Sequence, residues 1–192
     1  MNSTLPLKIL AKCAEVTRVI ALMLFFTLPS VLHAVGFGNQ QWTTIGSAGV
    51  VMTGGVTAAG TAAVLDDNFA VVRYNVVAVD GLFATDGPLI TSTVMAARFL
   101  DPGNSSRVIV RLKKTNLATS ATSTLLTIDS NTFASSNVYQ TQSVSCGEGF
   151  DFARYAYHVE VTLSRTAANA SAGIASMQIG KTDGCIAGAA SN

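Results

Sequence analysis

The segment Tyr155–Arg165 alternates between apolar and polar side chains almost without interruption. Its apolar set is Tyr155, Tyr157, Val159, Val161 and Leu163, and its polar set is His158, Glu160, Thr162 and Ser164. Successive residues of a strand point to opposite sides, so this period of two predicts a half-buried strand of an antiparallel sheet. We therefore expect Val159 and Val161 to be buried, with His158 and Glu160 facing water.

Further strands are predicted on both sides of this segment. Residues 69–80 are apolar on both faces apart from Arg73 and Asn75, which indicates a central strand between two layers. A strand is predicted at 93–101, where it ends at an Asp-Pro-Gly-Asn turn, and a hairpin is predicted from the strands 107–115 and 123–129. A weaker strand is predicted at 138–144, and a last strand at 173–180 is expected to close the sheet. This pattern predicts an all-β antiparallel β-sandwich, for which a jelly roll is one arrangement. A closed barrel is the alternative.

Residues 35–65 are rich in Gly, Ala, Thr and Val and carry no charge. Short strands separated by glycine turns are the expected structure, and a flexible segment that orders on assembly is the alternative. The stretch 50–53 is uncharged and favours β structure, so it is a candidate for edge-to-edge pairing with another chain.

The N-terminus has the three parts of a secretory signal peptide. Lys8, Lys12 and Arg18 precede the apolar run at 19–28, and Ala34 offers a small residue for cleavage. The run is shorter than the roughly twenty apolar residues that a membrane anchor needs. We expect residues 1–34 to be removed and 35–192 to form one domain that is secreted, periplasmic or on the cell surface.

Removal of the leader leaves nine basic and ten acidic residues in a domain of 158 residues. This balance gives a net charge near −1, which argues against nucleic acid or an anionic membrane as the main partner. The domain is large enough to bury a core without many cross-links. Its oligomeric state is left open by these observations.

Two cysteines, Cys146 and Cys185, lie beyond the leader. An exported protein meets oxidising conditions, so we expect a disulfide between them. The closed loop of about forty residues corresponds to roughly 4 kcal/mol in the chain-entropy model. A metal site is the alternative, but it would need more ligands than the single remaining histidine supplies.

No catalytic motif occurs in the sequence, and we expect no cofactor and no resident metal. His158 and Glu160 share a strand face and would suit a general base, but no nucleophile accompanies them. Five aspartates are expected at turns because they lie next to turn-forming residues: Asp66, Asp80, Asp86, Asp101 and Asp183. A calcium ion at residues 66–68 is an alternative without the spacing of a known calcium loop.

Two surface features are candidates for binding. Arg107, Arg111 and Lys113 form an outward basic row, joined by Lys114 on the other face, which would hold an acidic glycan or a phosphate or would keep the strand soluble. Among aromatic residues that could stack on a sugar ring, Trp42 is preferred over Phe83 and Tyr139, although tryptophan is commonly a core residue.

These features predict an exported, non-catalytic β-domain that acts as a surface, adhesive or structural component with a glycan or protein partner. A carbohydrate-binding module is the alternative. A small secreted hydrolase with an unrecognised site is the third functional hypothesis.

Overall fold

A computed structural model describes residues 42–78, 92–103 and 105–182. They form nine strands, all paired antiparallel: β1 Trp42–Ile45, β2 Val50–Ala59, β3 Ala62–Val76, β4 Ser92–Asp101, β5 Ser106–Asn116, β6 Thr122–Asp129, β7 Ser136–Gly147, β8 Tyr155–Arg165 and β9 Gly173–Thr182. Short 3-10 turns at Gly46–Ala48 and Ser130–Thr132 follow β1 and β6. In the described part of the chain, no helix is long and apolar enough to cross a membrane.

The strands follow the order β6-β5-β8-β3-β9-β4-β7, with β1 added to β9 and β2 added to β3. The long strand β3 turns the sheet over on itself, because residues 69–76 pair with β8 whereas Ala63 and Val64 pair with β9. One layer therefore holds β6, β5, β8 and the second half of β3, and the other holds β9, β4 and β7. In the described residues, the end strands β6 and β7 approach each other without pairing. The predicted all-β antiparallel sandwich is confirmed.

The core lies between the two layers. From the first layer Val110, Leu112 and Val161 point inward, and from the second layer Phe99 and Ile179 meet them. All five side chains are fully buried. This burial supplies the main driving force for folding, at about 1.5–3 kcal/mol for each large apolar side chain.

The predicted alternation of β8 is half correct. Val159 and Val161 are fully buried as expected, but Glu160 is only 9% exposed and His158 is only partly exposed. The prediction that these two face water is wrong because β8 lies between β3 and β5. The long side chains of Arg73 on β3 and Lys113 on β5 cover its outer face.

Two other strand predictions need correction. Strand β3 is central in the sheet, but it is not apolar and covered on both faces, because Arg73 and Asn75 are exposed while Val72 and Tyr74 are buried. The last strand, β9, does not close the sheet at an edge, since it lies between β3 and β4.

The glycine-rich region forms one long hairpin. Strand β2 runs for ten residues and turns at Gly60, whose positive φ of 62° favours glycine. Gly54, also at positive φ, lies inside β2 at a register shift and makes a bulge rather than the predicted turn.

The predicted turn aspartates divide into three groups. Asp101 ends β4 and accepts hydrogen bonds from the Gly103 amide at 3.1 Å and the Ser106 hydroxyl at 2.5 Å, as expected of a turn residue. Asp66 lies within β3 and accepts from the Thr57 hydroxyl, so its turn assignment is wrong. Asp80, Asp86 and Asp183 lie outside the described residues.

Several other predictions also fall outside the described residues. These are the leader at 1–34, the cysteine pairing, which depends on Cys185 and the side chain of Cys146, and the candidate aromatic residue Phe83. They remain predictions.

Candidate functional site

The predicted basic row lies on β5 with its side chains directed away from the core. Val108, Val110 and Leu112, which alternate with the row, are fully buried. Arg107 donates to both carboxylate oxygens of Asp129, with its Nε 3.0 Å from Oδ1. This pairing raises the pKa of Arg107 and lowers the pKa of Asp129, the hydrogen bond being the main cause in each case.

Lys113 belongs to a compact group, here called the charged face, which consists of Arg73, Lys113, His158 and Glu160. Lys113 Nζ lies 2.5 Å from Glu160 Oε1, and Arg73 donates to Oε2 from Nη2 at 3.0 Å and from Nε at 3.2 Å. Burial alone would raise the pKa of Glu160, but these hydrogen bonds outweigh burial and lower it. The carboxylate is therefore held in its ionised form.

His158 lies beside the ion pairs that Glu160 makes with Arg73 and Lys113. Its Nε2 is buried and has no hydrogen-bond partner among the described residues. Its pKa is lowered by burial first and then by the positive charge of Arg73; the charge of Glu160 opposes this, and Lys113 adds a smaller lowering effect. Both carboxylate oxygens of Glu160 already accept hydrogen bonds from cations. Glu160 therefore does not supply a basic carboxylate beside His158.

Trp42, the aromatic residue preferred from sequence, is 6% exposed and belongs to the core. It begins β1 and lies opposite Ile179 of β9. One side of it borders a cleft of about 430 Å³, here called the Trp42 cleft, lined by Trp42, Thr44, Ala48, Val50, Met52, Arg73, Tyr74 and Asn75. Trp42 therefore contributes to the floor of a cleft and does not present its ring face for stacking.

The Trp42 cleft is held in shape by Tyr74. Its hydroxyl donates to the carbonyl oxygen of Gly46 at 2.6 Å, which ties β3 to the turn after β1, and burial raises its pKa strongly. Gly49 lies directly over this ring, because a Cβ there would come within 2.5 Å of the Tyr74 ring. Exposed side chains in the lining of the cleft include Arg73 and Asn75, with Val50 and Met52.

A second cleft of about 470 Å³ lies where β3, β5 and β8 meet the loop before β8. Its lining comprises Asn75, Val76, Val77, Ala78, Leu117, Phe152, Tyr155, Ala156 and Tyr157. We call this region the aromatic end. Val77 and Leu117 are 58% and 60% exposed, and Phe152 and Tyr155 are partly exposed.

The aromatic rings of this end support one another. Phe150 and Phe152 stack with centroids 5.7 Å apart, and Tyr157 meets Phe150 edge-on at 4.5 Å. The Tyr157 hydroxyl also accepts a hydrogen bond from the Asp151 amide at 2.7 Å. Such packing fixes ring orientation before any ligand arrives, which lowers the entropic cost of binding.

Cations surround the outermost ring. Lys114 Nζ lies 5.0 Å from the centroid of Tyr155, and the Arg154 guanidinium carbon lies 6.0 Å from it. Lys114 also pairs with Glu148, and Arg154 pairs with Asp151 at 2.5 Å. The aromatic end thus combines an apolar floor with a rim of donors and acceptors, the composition usual in small-molecule sites.

Asn75 lines both clefts, so they lie side by side at this residue. Its neighbours in register are His158 on β8 and, one strand further, Lys113 on β5. Sequence reasoning missed Asn75 and the aromatic end. The signal that points to the latter is the occurrence of Phe150 and Phe152 together with Gly and Asp in the loop just before β8.

The remaining candidates stay apart from this site. Tyr139 on β7 is partly buried near Gly173 in the second layer. Residues 66–68, considered for calcium, lie in β3, and no group of three metal-ligating side chains occurs in the described part of the chain.

No known protein-family model matches the chain, and no curated protein sequence matches it. Solved structures give distant similarities. One is the CBM36-1 domain of a multidomain xylanase from the hindgut metagenome of Trinervitermes trinervoides, with a TM-score of 0.44 and 12% identity over 73% of this chain and 97% of that one. Another is the C-terminal CBM6 of LamC, a marine laminarinase from Zobellia galactanivorans. Its TM-score is 0.44, with 9% identity over 74% of this chain and 100% of that one.

A third is a carbohydrate-binding module CBM36 in complex with calcium and xylotriose, with a TM-score of 0.45 and 11% identity over 72% of this chain and 98% of that one. At these TM-scores the similarities carry no argument about ligand or site. The function is therefore argued from the clefts themselves.

Proposed function

We propose that this chain is an exported, non-catalytic β-sandwich module that binds a carbohydrate along the surface joining the Trp42 cleft and the aromatic end. The observation that carries the proposal is the position of Asn75 in both clefts. Each cleft has a volume within the usual range for small-molecule sites, about 300–1,000 Å³. Two such clefts in contact suit an extended ligand better than a compact one.

The chemistry of the surface matches that of a sugar chain. A sugar ring has an apolar C–H face and a rim of hydroxyl groups, and the partly exposed rings of Phe152 and Tyr155 offer a surface for the former. Asn75 and Arg73 supply donors for the hydroxyls, and the amide of Asn75 also accepts. Both side chains are anchored on a central strand, so the donors are positioned before binding.

The non-catalytic part of the proposal is supported by how the carboxylates are used. Glu160, Asp129 and Asp151 each accept hydrogen bonds from a cationic side chain, which lowers the pKa of all three. A glycosidase acid needs a carboxyl with a raised pKa, opposite a second carboxylate. The arrangement favours structural roles for these groups.

The proposal is tested by affinity electrophoresis and pull-down of the exported chain with xylan, cellulose, laminarin and alginate. We expect retention by at least one of them and no release of reducing sugar. Tyr155→Ala and Asn75→Ala should reduce retention, and Asn137→Ala, which changes an exposed side chain on β7 away from both clefts, is the matched control. Absence of retention by all four, or equal retention by all variants, would overturn the binding proposal. Sugar release lost in a carboxylate variant would favour the hydrolase.

A further inference from the structure

The Trp42 cleft presents positive charge to a ligand. Among the described residues that line it, Arg73 is the one charged side chain, and its side chain is 45% exposed. The other polar side chains of the lining are Thr44, Asn75 and Tyr74, of which the Tyr74 hydroxyl already donates to Gly46. The described lining therefore contains a cation and no carboxylate.

The ion pair of Arg73 with Glu160 does not cancel this charge. Glu160 carries one negative charge and shares it between two cations, because Lys113 lies at its Oε1 and Arg73 at its Oε2. The three side chains together therefore carry a net charge of about +1. Lys113 is only 20% exposed and does not line the cleft, so the uncompensated charge is most accessible at Arg73.

The guanidinium of Arg73 also keeps hydrogen-bond donors for a ligand. It reaches Glu160 through Nε and Nη2, and both of these bonds go to the same oxygen, Oε2. In the part of the chain that the structure describes, Nη1 donates to no acceptor. A guanidinium has five N–H donors in a planar fork, so the edge formed by Nη1 and Nη2 can bind a second oxyanion with two parallel hydrogen bonds.

We propose that the carbohydrate bound in the Trp42 cleft carries an anionic substituent, a carboxylate or a sulfate ester, that pairs with Arg73. This inference rests on the proposed function and names the ligand class of the same site. A sugar that enters the cleft displaces water from Arg73, and a cation that loses water is stabilised by a paired anion. A neutral sugar would cover the cation without this compensation.

Affinity electrophoresis of the full exported chain tests this ligand class with polymers that differ in charge. Polygalacturonate and alginate carry carboxylates, carrageenan carries sulfate esters, and xylan and laminarin are the neutral comparison. Methyl-esterified polygalacturonate is the matched ligand, because it keeps the sugar and masks the charge. We expect at least tenfold tighter binding of an acidic polymer than of the neutral ones, and the polymer that binds identifies carboxylate or sulfate.

Arg73→Gln should weaken binding of the acidic polymer about tenfold. The variant should stay folded, as thermal unfolding will show, because Glu160 keeps its ion pair with Lys113. Arg98→Gln is the matched control, since it removes the same charge from an exposed side chain on β4, in the other layer and outside both clefts. It should bind like the native chain. An equal loss in both variants would show attraction by net charge alone and would overturn the proposal.

Measurements on the native chain decide the matter if Arg73→Gln does not fold. Raising NaCl from about 50 to about 500 mM should weaken binding of the acidic polymer severalfold, because salt screens a partly exposed ion pair. Retention by xylan or laminarin without any preference for an acidic polymer would overturn this inference and leave the proposed function standing. Equal binding of polygalacturonate and its methyl ester would have the same meaning. Retention by none of the polymers would overturn both.

Discussion

The charged face and the aromatic end are built from the same three strands, β3, β5 and β8, yet they use their polar groups differently. On the charged face, Glu160 accepts from Arg73 and Lys113, so its charge is neutralised within the fold. At the aromatic end, Tyr155 lies at the first residue of β8, where the neighbouring strands leave its ring partly exposed.

The difference shows that position along one strand decides whether a side chain serves the fold or a ligand. In the middle of β8 the strands on both sides supply long side chains that cover the outer face. At its beginning, the loops before β8 and after β5 leave a cleft instead. Changes on the charged face should therefore alter stability, and changes at the aromatic end should alter binding.

The largest effect is expected from breaking the strand that the two regions share. Val161 is fully buried, and Val161→Asp would place a carboxylate in the core at a cost of about 3 kcal/mol or more. Such a loss is a large part of a typical stability of 5–15 kcal/mol. Circular dichroism should show an unfolded chain, whereas Thr162→Asp, one residue along and partly exposed, should stay folded. Two equally folded variants would contradict the register of β8.

Glu160→Gln should be the next largest change, and it acts on the charged face alone. Removal of the negative charge leaves Arg73 and Lys113 facing each other without compensation, which we expect to cost about 1–2 kcal/mol. The expected cost of Glu160→Gln is small for a broken ion pair because Arg73 is 45% exposed and partly solvated. Urea unfolding measures it, with Glu148→Gln as a control expected to change stability by less than about 0.5 kcal/mol. Carbohydrate binding should change less than in Tyr155→Ala, because Arg73, which also lines the Trp42 cleft, is kept.

Tyr155→Ala should produce the opposite pattern at the aromatic end. Loss of a partly exposed ring should weaken carbohydrate binding about tenfold or more, which corresponds to about 1.4 kcal/mol. Its effect on unfolding should be smaller than that of truncating the buried Tyr157, the control on the same strand. Isothermal titration calorimetry and urea unfolding together would separate the two effects. A Tyr155 variant that loses stability but keeps its affinity would contradict the division of roles.

The smallest expected effect is the pH dependence that His158 contributes. Burial and the cations Arg73 and Lys113 lower its folded-state pKa, so the folded state favours the neutral ring. The contribution of His158 to the free energy of unfolding is therefore fully present above the ordinary pKa of 6.5. It is lost as the pH falls from there through the lower folded-state pKa. Urea midpoints of His158→Gln should change less with pH in this window. Glu160, whose folded-state pKa is also lowered, adds acid sensitivity only below about 4.5.

The sequence was sufficient to predict the strands because their apolar alternation reflects burial on one face. The alternation of β8 located Val161 in the core correctly, and that of β5 placed its basic row on the outer side. It did not predict that Glu160 is covered, because that depends on register with Arg73 and Lys113, which lie 87 and 47 residues away.

The site was harder to predict for the same reason. Trp42 was selected as an exposed aromatic residue, but pairing of β1 with β9 places it in the core. Asn75 and Leu117 have no distinguishing local pattern, and they line one cleft only because the ends of β3, β5 and β8 meet. The pairing of Cys146 and Cys185 stays a prediction that peptide mapping under non-reducing conditions would test.

The most direct test of the account is to locate the bound carbohydrate. Backbone amide signals of the isotope-labelled chain are followed by NMR during titration with fragments of the polysaccharide that retains it. The account predicts shifts concentrated at Asn75, Leu117 and Tyr155, with the amides of Arg111 and Glu160 nearly unchanged. Shifts confined to the basic row of Arg107, Arg111 and Lys113 would contradict it.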